Sequence, residues 1–285
     1  MSGKNARSQR KPVARKAVAR KPVAATPQWV MPAAVVAGLA VVVVAFLIYR
    51  WYTTPLPPAA PSQDTTAQVL ATITAIPQSE FDSVGQGTAN NLIKPISGSA
   101  LAGPGGKPEV FYYGAEYCPY CAAERWPVIV AMSRFGTFSG LTTTTSSSSD
   151  VYPNTVTFTF RSAKYASQYV EFAAVETTDR DQNPLQSPSP DQQQLVTKYD
   201  SAGTIPFVDF ANKYAFNGAT YTPDVIGGMS WLAVSDALKS PDSAQAKAIL
   251  GSANLITAAI CKSTGDQPST VCSTTTIQNL EKALK

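Results

Sequence analysis

One stretch constrains this chain more than any other. Glu109-Val110-Phe111-Tyr112-Tyr113-Gly114 reads as a buried strand, Cys118-Pro119-Tyr120-Cys121 as a tight turn, and Ala122-Ala123-Glu124-Arg125-Trp126 as the opening of a helix. Strand, Cys-x-x-Cys turn and helix together are the layout of a dithiol redox site. Two intervening residues let the sulfurs meet across the first helical turn, where a disulfide forms and breaks. Cys118 then lies at the helix N-terminus, whose unpaired N–H groups and dipole favour the nucleophilic thiolate. Pro119 fits a helix start, because its φ is fixed and it has no N–H to satisfy.

Composition narrows the chemistry. The net charge of +4 is uneven: residues 1–28 carry eight Lys/Arg and no acid, leaving 15 basic and 19 acidic residues, or −4, for the rest. The basic character belongs to a tail, so no nucleic-acid partner is expected. The chain has no histidine. Ser-His-Asp and Cys-His catalysis are thereby excluded, and the commonest transition-metal ligand is missing. No metal and no organic cofactor is expected.

The N-terminal region divides into three segments. Residues 11–25 form a degenerate basic pentapeptide repeat with little to bury, so 1–28 reads as a disordered cytoplasmic tail. It is a topology signal before it is a lipid-binding site, since the positive-inside rule already accounts for it. Trp29 to Tyr49 is uncharged and as long as a bilayer core requires. Trp29, Tyr49, Trp51 and Tyr52 suit its interfaces. It reads as a retained transmembrane anchor in contact with the lipid bilayer. A cleaved signal peptide would have a shorter apolar region and a small-residue exit, and here the exit is Arg50-Trp51-Tyr52. The N-terminus is expected in the cytoplasm and the remainder outside. Residues 50–68, with Pro55, Pro57, Pro58 and Pro61, read as an extended linker.

The domain is expected over 69–285. A short helix over 69–87 uses Ile76, Phe81 and Val84 as its apolar face, and 90–107 is turn material. After the Cys-x-x-Cys turn the helix runs to about Phe135, with Pro127 expected to kink it. Residues 136–150 include the pure Thr/Ser tract 142–149 and read as an exposed loop. Strands are expected over 155–160, by alternation, and 169–176, the more buried of the two. A helix follows over 192–199, and then the strand opened by Ile205-Pro206 and running to Phe210.

At Ile205-Pro206 a resemblance becomes specific. Cys118-Pro119-Tyr120-Cys121 together with Lys198 to Pro206 resembles the thioredoxin superfamily over roughly Lys107 to Tyr221, with insertions. A longer similarity is to an uncharacterised family of membrane-anchored, thioredoxin-like prokaryotic proteins, carried by 114–126, 205–213 and 253–272. The resemblance implies an α/β thioredoxin-like fold with a central mixed sheet, a helical C-terminal extension and a single N-terminal transmembrane helix. It implies that Pro206 follows a cis peptide bond facing the dithiol. Ile205 would offer backbone groups to a substrate polypeptide, with Pro119 and Tyr120 helping to position it. In thioredoxin a buried acid in the central strand serves the resolving cysteine; the corresponding residue here is Tyr112. Glu124 or Glu116 is the candidate substitute as proton relay, although a solvated surface carboxylate is the preferred reading of both. The tetrapeptide also resembles glutaredoxin, but glutathione binding is not legible in four residues.

From about 222 the chain reads as helical, over 229–238, 244–262 and 277–284. Cys261 and Cys272 are too widely spaced for half a zinc knuckle. Four cysteines allow three pairings. The favoured one joins Cys118 to Cys121 and Cys261 to Cys272, the second as a structural disulfide, with an electron-shuttling dithiol as its rival. The expected function is thiol–disulfide exchange, as an oxidase or isomerase. Cys118 attacks, Cys121 resolves, and the substrates are cysteine-containing secreted or membrane proteins. An unidentified membrane protein is the expected redox partner. The alternative is a redox-inactive polypeptide-binding module. Copper delivery fits poorly, because the cysteine spacing is one residue short and histidine is absent.

Overall fold

The computed structural model describes residues 30–53 and 63–284. The tail 1–28, Trp29 and linker residues 54–62 lie outside the described residues, as do the expectations of disorder, interfacial contact and extension attached to them. The chain divides into two compact units, Met1–Thr53 and Thr54–Lys285. The first has one described element, helix α1 (Val30–Thr53). Its stretch Val35–Thr53, with mean hydropathy 2.1, is long and apolar enough to cross a membrane. A signal sequence meets the same description.

The second unit opens with helices α2 (Gln63–Thr74) and α3 (Gln78–Val84). They divide the single helix expected over 69–87, and α2 begins inside the segment read as linker. Strands β1 (Lys94–Pro95) and β2 (Glu109–Gly114) follow, then helix α4 (Pro119–Met132). Four strands come next: β3 (Gly136–Ser139), β4 (Thr142–Thr145), β5 (Val156–Thr159) and β6 (Lys164–Ser167). Then come β7 (Glu171–Glu176), helix α5 (Pro190–Tyr199) and the hairpin β8 (Phe207–Phe210) and β9 (Tyr214–Asn217). After a 3₁₀ turn at Pro223–Ile226 the chain ends in helices α6 (Trp231–Ala237), α7 (Ala244–Thr264), α8 (Ser269–Cys272) and α9 (Thr275–Ala283).

The architecture is mixed α/β with a helical C-terminal part. The central sheet has the order β1-β9-β8-β2-β7. β2 runs parallel to β7 and antiparallel to β8, and the remaining pairs are antiparallel. β2 is therefore interior. Its Val110 and Tyr112 join the large core beneath α4 and α7, and its Phe111 joins a smaller cluster with Val175, Val196 of α5 and Phe207. A strand covered on both faces carries apolar side chains in both directions, which is why Val110 to Tyr113 shows no alternation.

The loop expected over 136–150 is corrected. β3 pairs with β6, and the threonine run Thr142–Thr145 pairs antiparallel with β5. Threonine is β-branched and suits a pleated surface. Ser146 and Ser147 beyond it are buried; the Ser146 hydroxyl bonds the Tyr152 carbonyl at 3.1 Å and accepts from Thr155 N at 2.9 Å. The burial ranking of the two expected strands also reverses. β5 is wholly buried, held beneath the Trp126 and Trp231 indoles that donate to Val156 O and Thr157 O, while β7 is half-buried over most of its length.

α4 continues through Pro127. Proline cannot donate to the carbonyl four residues back, and the Ala123 oxygen instead accepts from the Tyr221 hydroxyl at 2.7 Å. α7 is seated closely on the end of α3. Asn254 donates to Phe81 O and Gly85 O, and a Cβ at Gly251 would lie 2.2 Å from the Gln86 carbonyl oxygen, so only glycine fits there.

Candidate dithiol site

The site begins where β2 ends. Cys118 is the N-cap of α4, with Pro119 buried at the first helical position. Its sulfur takes the role an N-cap oxygen usually has, accepting from Cys121 N at 3.2 Å. Both cysteines are free thiols, Cys118 5% exposed and Cys121 fully buried. Their chemistry diverges. The hydrogen bond from the Cys121 thiol does most to lower the Cys118 pKa; burial opposes it, and the Cys121 N–H, the Arg125 charge and the Tyr120 N–H add to the lowering. Burial pushes the Cys121 thiol well up, and the neighbouring Cys118 sulfur pushes it further. Cys118 is thus the more readily ionised of the two thiols and Cys121 the more firmly protonated.

The residues expected to position substrate lie at different depths. The Ile205–Pro206 peptide is cis, and the Cys118 thiol is 3.9 Å from the Ile205 carbonyl. Tyr120 is exposed and meets Tyr152 edge-on at 5.8 Å. Ser147 N donates to Tyr117 O at 2.9 Å. The segment between β4 and β5, much of it expected as an exposed loop, therefore flanks the Cys-x-x-Cys turn.

The two candidate relay carboxylates are not solvated, which corrects the preferred reading. Glu116 is 7% exposed and its Oε1 accepts from the Thr159 hydroxyl; burial raises its pKa against that bond. Glu124 is fully buried. Its Oε2 contacts Thr220 N and Thr220 Oγ1, each at 2.8 Å, and burial lifts its pKa to about 8. Position three after Cys121 faces Thr220, which in turn bonds Ser252 of α7, so the usual exposure of a carboxylate misjudged its surroundings. Neither carboxylate is among the groups that act most on Cys121, which are Cys118 and Arg125.

Three residues of the site went unassigned from sequence. Arg125, one turn beyond Cys121, is fully buried and grips Glu176 of β7 with two bonds, Nε to Oε1 at 2.8 Å and Nη2 to Oε2 at 2.6 Å. Nη2 also donates to the Ala115 carbonyl at 2.8 Å. Burial opposes the charge, but the Glu176 carboxylate keeps Arg125 protonated. Tyr112 of β2 lies under the guanidinium, 5.8 Å from its ring centre. The sequence signal was an arginine at i+4 from Cys121 together with an acid closing a buried strand.

Cys261 and Cys272 are joined by a disulfide, both sulfurs buried, tying α7 to α8. Among the described residues no group of three His, Cys, Asp or Glu has the arrangement of a metal site. A cleft of about 300 Å³ lined by Leu70, Ile129, Phe138 and Leu141 includes no residue of the dithiol turn.

The profile of a family described as "Domain of unknown function (DUF929)" matches residues 91–262, more than half of the chain. The matched stretch contains Cys118, Cys121, Arg125, Glu176, Pro206 and Cys261. No curated protein and no solved structure matches.

Proposed function

This chain belongs to the DUF929 family, and we propose that it is a thioredoxin-like thiol–disulfide oxidoreductase. In this reading α1 holds it in a membrane, its N-terminus is cytoplasmic, and its domain works outside on protein cysteines. The observation that carries the reading is the pair of opposed thiols in one helical turn, Cys118 lowered and Cys121 raised, with the Ile205 carbonyl beside the first. The order of elements supports it: a central strand, the dithiol helix, a parallel neighbour, and an antiparallel hairpin entered at Pro206.

The chemistry runs in two displacements. The Cys118 thiolate attacks one sulfur of a substrate disulfide, and the other substrate sulfur leaves as a thiolate. Cys121 then gives its proton to solvent base and attacks the Cys118 sulfur. The second substrate thiolate leaves, and the chain holds a Cys118–Cys121 disulfide. The reverse sequence oxidises a substrate dithiol. Stabilising the Cys118 thiolate favours the reduced protein and so raises its power to oxidise.

The test is the reduction potential of the full chain in detergent, by titration in glutathione redox buffer with free thiols counted by mass. The expected value lies between about −120 and −180 mV, the range of oxidants and isomerases. A value near −270 mV would make it a reductase. A pair still oxidised below about −300 mV would overturn the redox reading and leave a polypeptide-binding module.

A further inference from the structure

Two buried hydrogen-bond donors beneath the dithiol have no acceptor in the protein: Tyr112 Oη and Arg125 Nη1. A buried donor without a partner costs on the order of 1–3 kcal/mol, so two in one place need an explanation. Their positions are fixed by construction. The Tyr112 ring is held edge-on by Phe160 at 4.9 Å and its hydroxyl end lies over Gly114, where a Cβ would come within 2.6 Å of Oη. Gly114 thus leaves room for the phenol to reach the end of β2, beside the Cys-x-x-Cys turn. Arg125 is clamped on its other nitrogens by Glu176 and by Ala115 O, leaving Nη1 unused.

Neither group is a base. Burial keeps the phenol protonated, and the guanidinium stays charged beside Glu176. Both are permanent donors, and what they lack is an anion. The buried group nearby that becomes one is Cys121, on the same helix one turn before Arg125. We propose that Tyr112 Oη and Arg125 Nη1, neither of which bonds the Cys121 sulfur in its thiol form, are the donors that take up the Cys121 thiolate, the anion that exists only while a mixed disulfide is being resolved. The inference rests on the oxidoreductase reading above. It follows the logic of an oxyanion hole, with donors fixed in advance in a water-excluded site where charge will develop. In the balanced step the Cys121 proton goes to solvent base and the two donors bond the thiolate. Its electron pair forms the Cys118–Cys121 bond, and the Cys118–substrate bond breaks with the substrate thiolate leaving. The charged and titratable groups that act on Cys121 are the N-cap Cys118, Arg125 on α4, Tyr112 on β2 and Tyr117 in the turn, with Glu176 on β7 and Glu116 beside Arg125.

The test uses the reduced full chain in detergent, mixed rapidly with a small aromatic disulfide that releases one coloured thiolate per displacement. The first equivalent reports attack by Cys118 and the second reports resolution by Cys121. In Tyr112→Phe the ring and its packing are retained and only the unpartnered oxygen is lost. The ratio of second-phase to first-phase rate is expected to fall by roughly ten- to a hundredfold, somewhat less than loss of an oxyanion-hole donor because sulfur is the weaker acceptor. The pH midpoint of the second phase is expected to move up. An unchanged ratio and midpoint would overturn the donor-pair assignment while leaving the oxidoreductase reading intact. If the wild-type chain releases no second equivalent, the oxidoreductase reading itself fails, a result separable from the first. Should Tyr112→Phe lower stability, the pH midpoint still decides, since it does not depend on the folded fraction.

Discussion

Glutamine at position 124 should remove most of one pH dependence from the folding of this protein. Glu124 is fully buried, and its carboxyl has a pKa of about 8 in the folded chain against 4.5 when unperturbed. A folded pKa above the unfolded one means that the group's contribution is fully present below about pH 4.5 and is lost as pH rises toward 8. Each pH unit in that window is about 1.4 kcal/mol, so the wild-type chain should lose about 4 kcal/mol from this residue between pH 5 and 9. Burial explains the preference for the acid form, and the bonds from Thr220 oppose it. Thr220 Oγ1 has a single proton and lies 2.8 Å from Glu124 Oε2 and 2.6 Å from Ser252 Oγ. A protonated carboxyl can donate to Thr220, which then donates to Ser252. Glu124→Gln keeps the size and stays neutral at every pH. Urea unfolding of the full chain in detergent, followed by tryptophan fluorescence, measures the difference; Trp126 and Trp231 are both buried. Asp209, whose burial lifts its pKa to about 7, also titrates in this range but is common to both chains and cancels. Parallel stability curves for the two chains between pH 5 and 9 would refute the reasoning.

Three further outcomes are expected. Iodoacetamide should modify Cys118 before Cys121, with a rate midpoint below that of an ordinary free cysteine, read by mass spectrometry across pH. Glu176→Gln should cost about 3–5 kcal/mol in urea unfolding, because it leaves the Arg125 guanidinium buried without its anion. Replacing both Cys261 and Cys272 by alanine should cost about 3 kcal/mol, the loop-closure value for cysteines 11 residues apart, while the Cys118–Cys121 potential stays within a few tens of mV.

Much of the site's centre was legible because it is local. Strand, Cys-x-x-Cys turn and helix occupy 109–132 without interruption, and the N-capping sulfur follows from spacing. Its surroundings were not, because they are assembled from distant segments. Glu124 read as a surface acid, since nothing nearby in sequence announces Thr220 and Ser252. The threonine run read as low complexity, whereas β-branching and a buried partner strand make it an edge of structure. Arg125 and Glu176 are 51 residues apart, and only the sheet brings them together. Pattern alone showed no reason for Tyr112 to end its phenol over a glycine.

Tyr221 bonded to Ala123, and Thr220 bonded to Glu124, also set a timetable. The helix bearing the dithiol is complete in sequence at Met132, but the groups that satisfy its interrupted backbone and its buried acid arrive 98 and 96 residues after the positions they serve. Contacts of such separation form late, after loop closure has been met. The helix that carries the two cysteines thus waits for a segment beyond the last strand to satisfy its backbone and its buried acid.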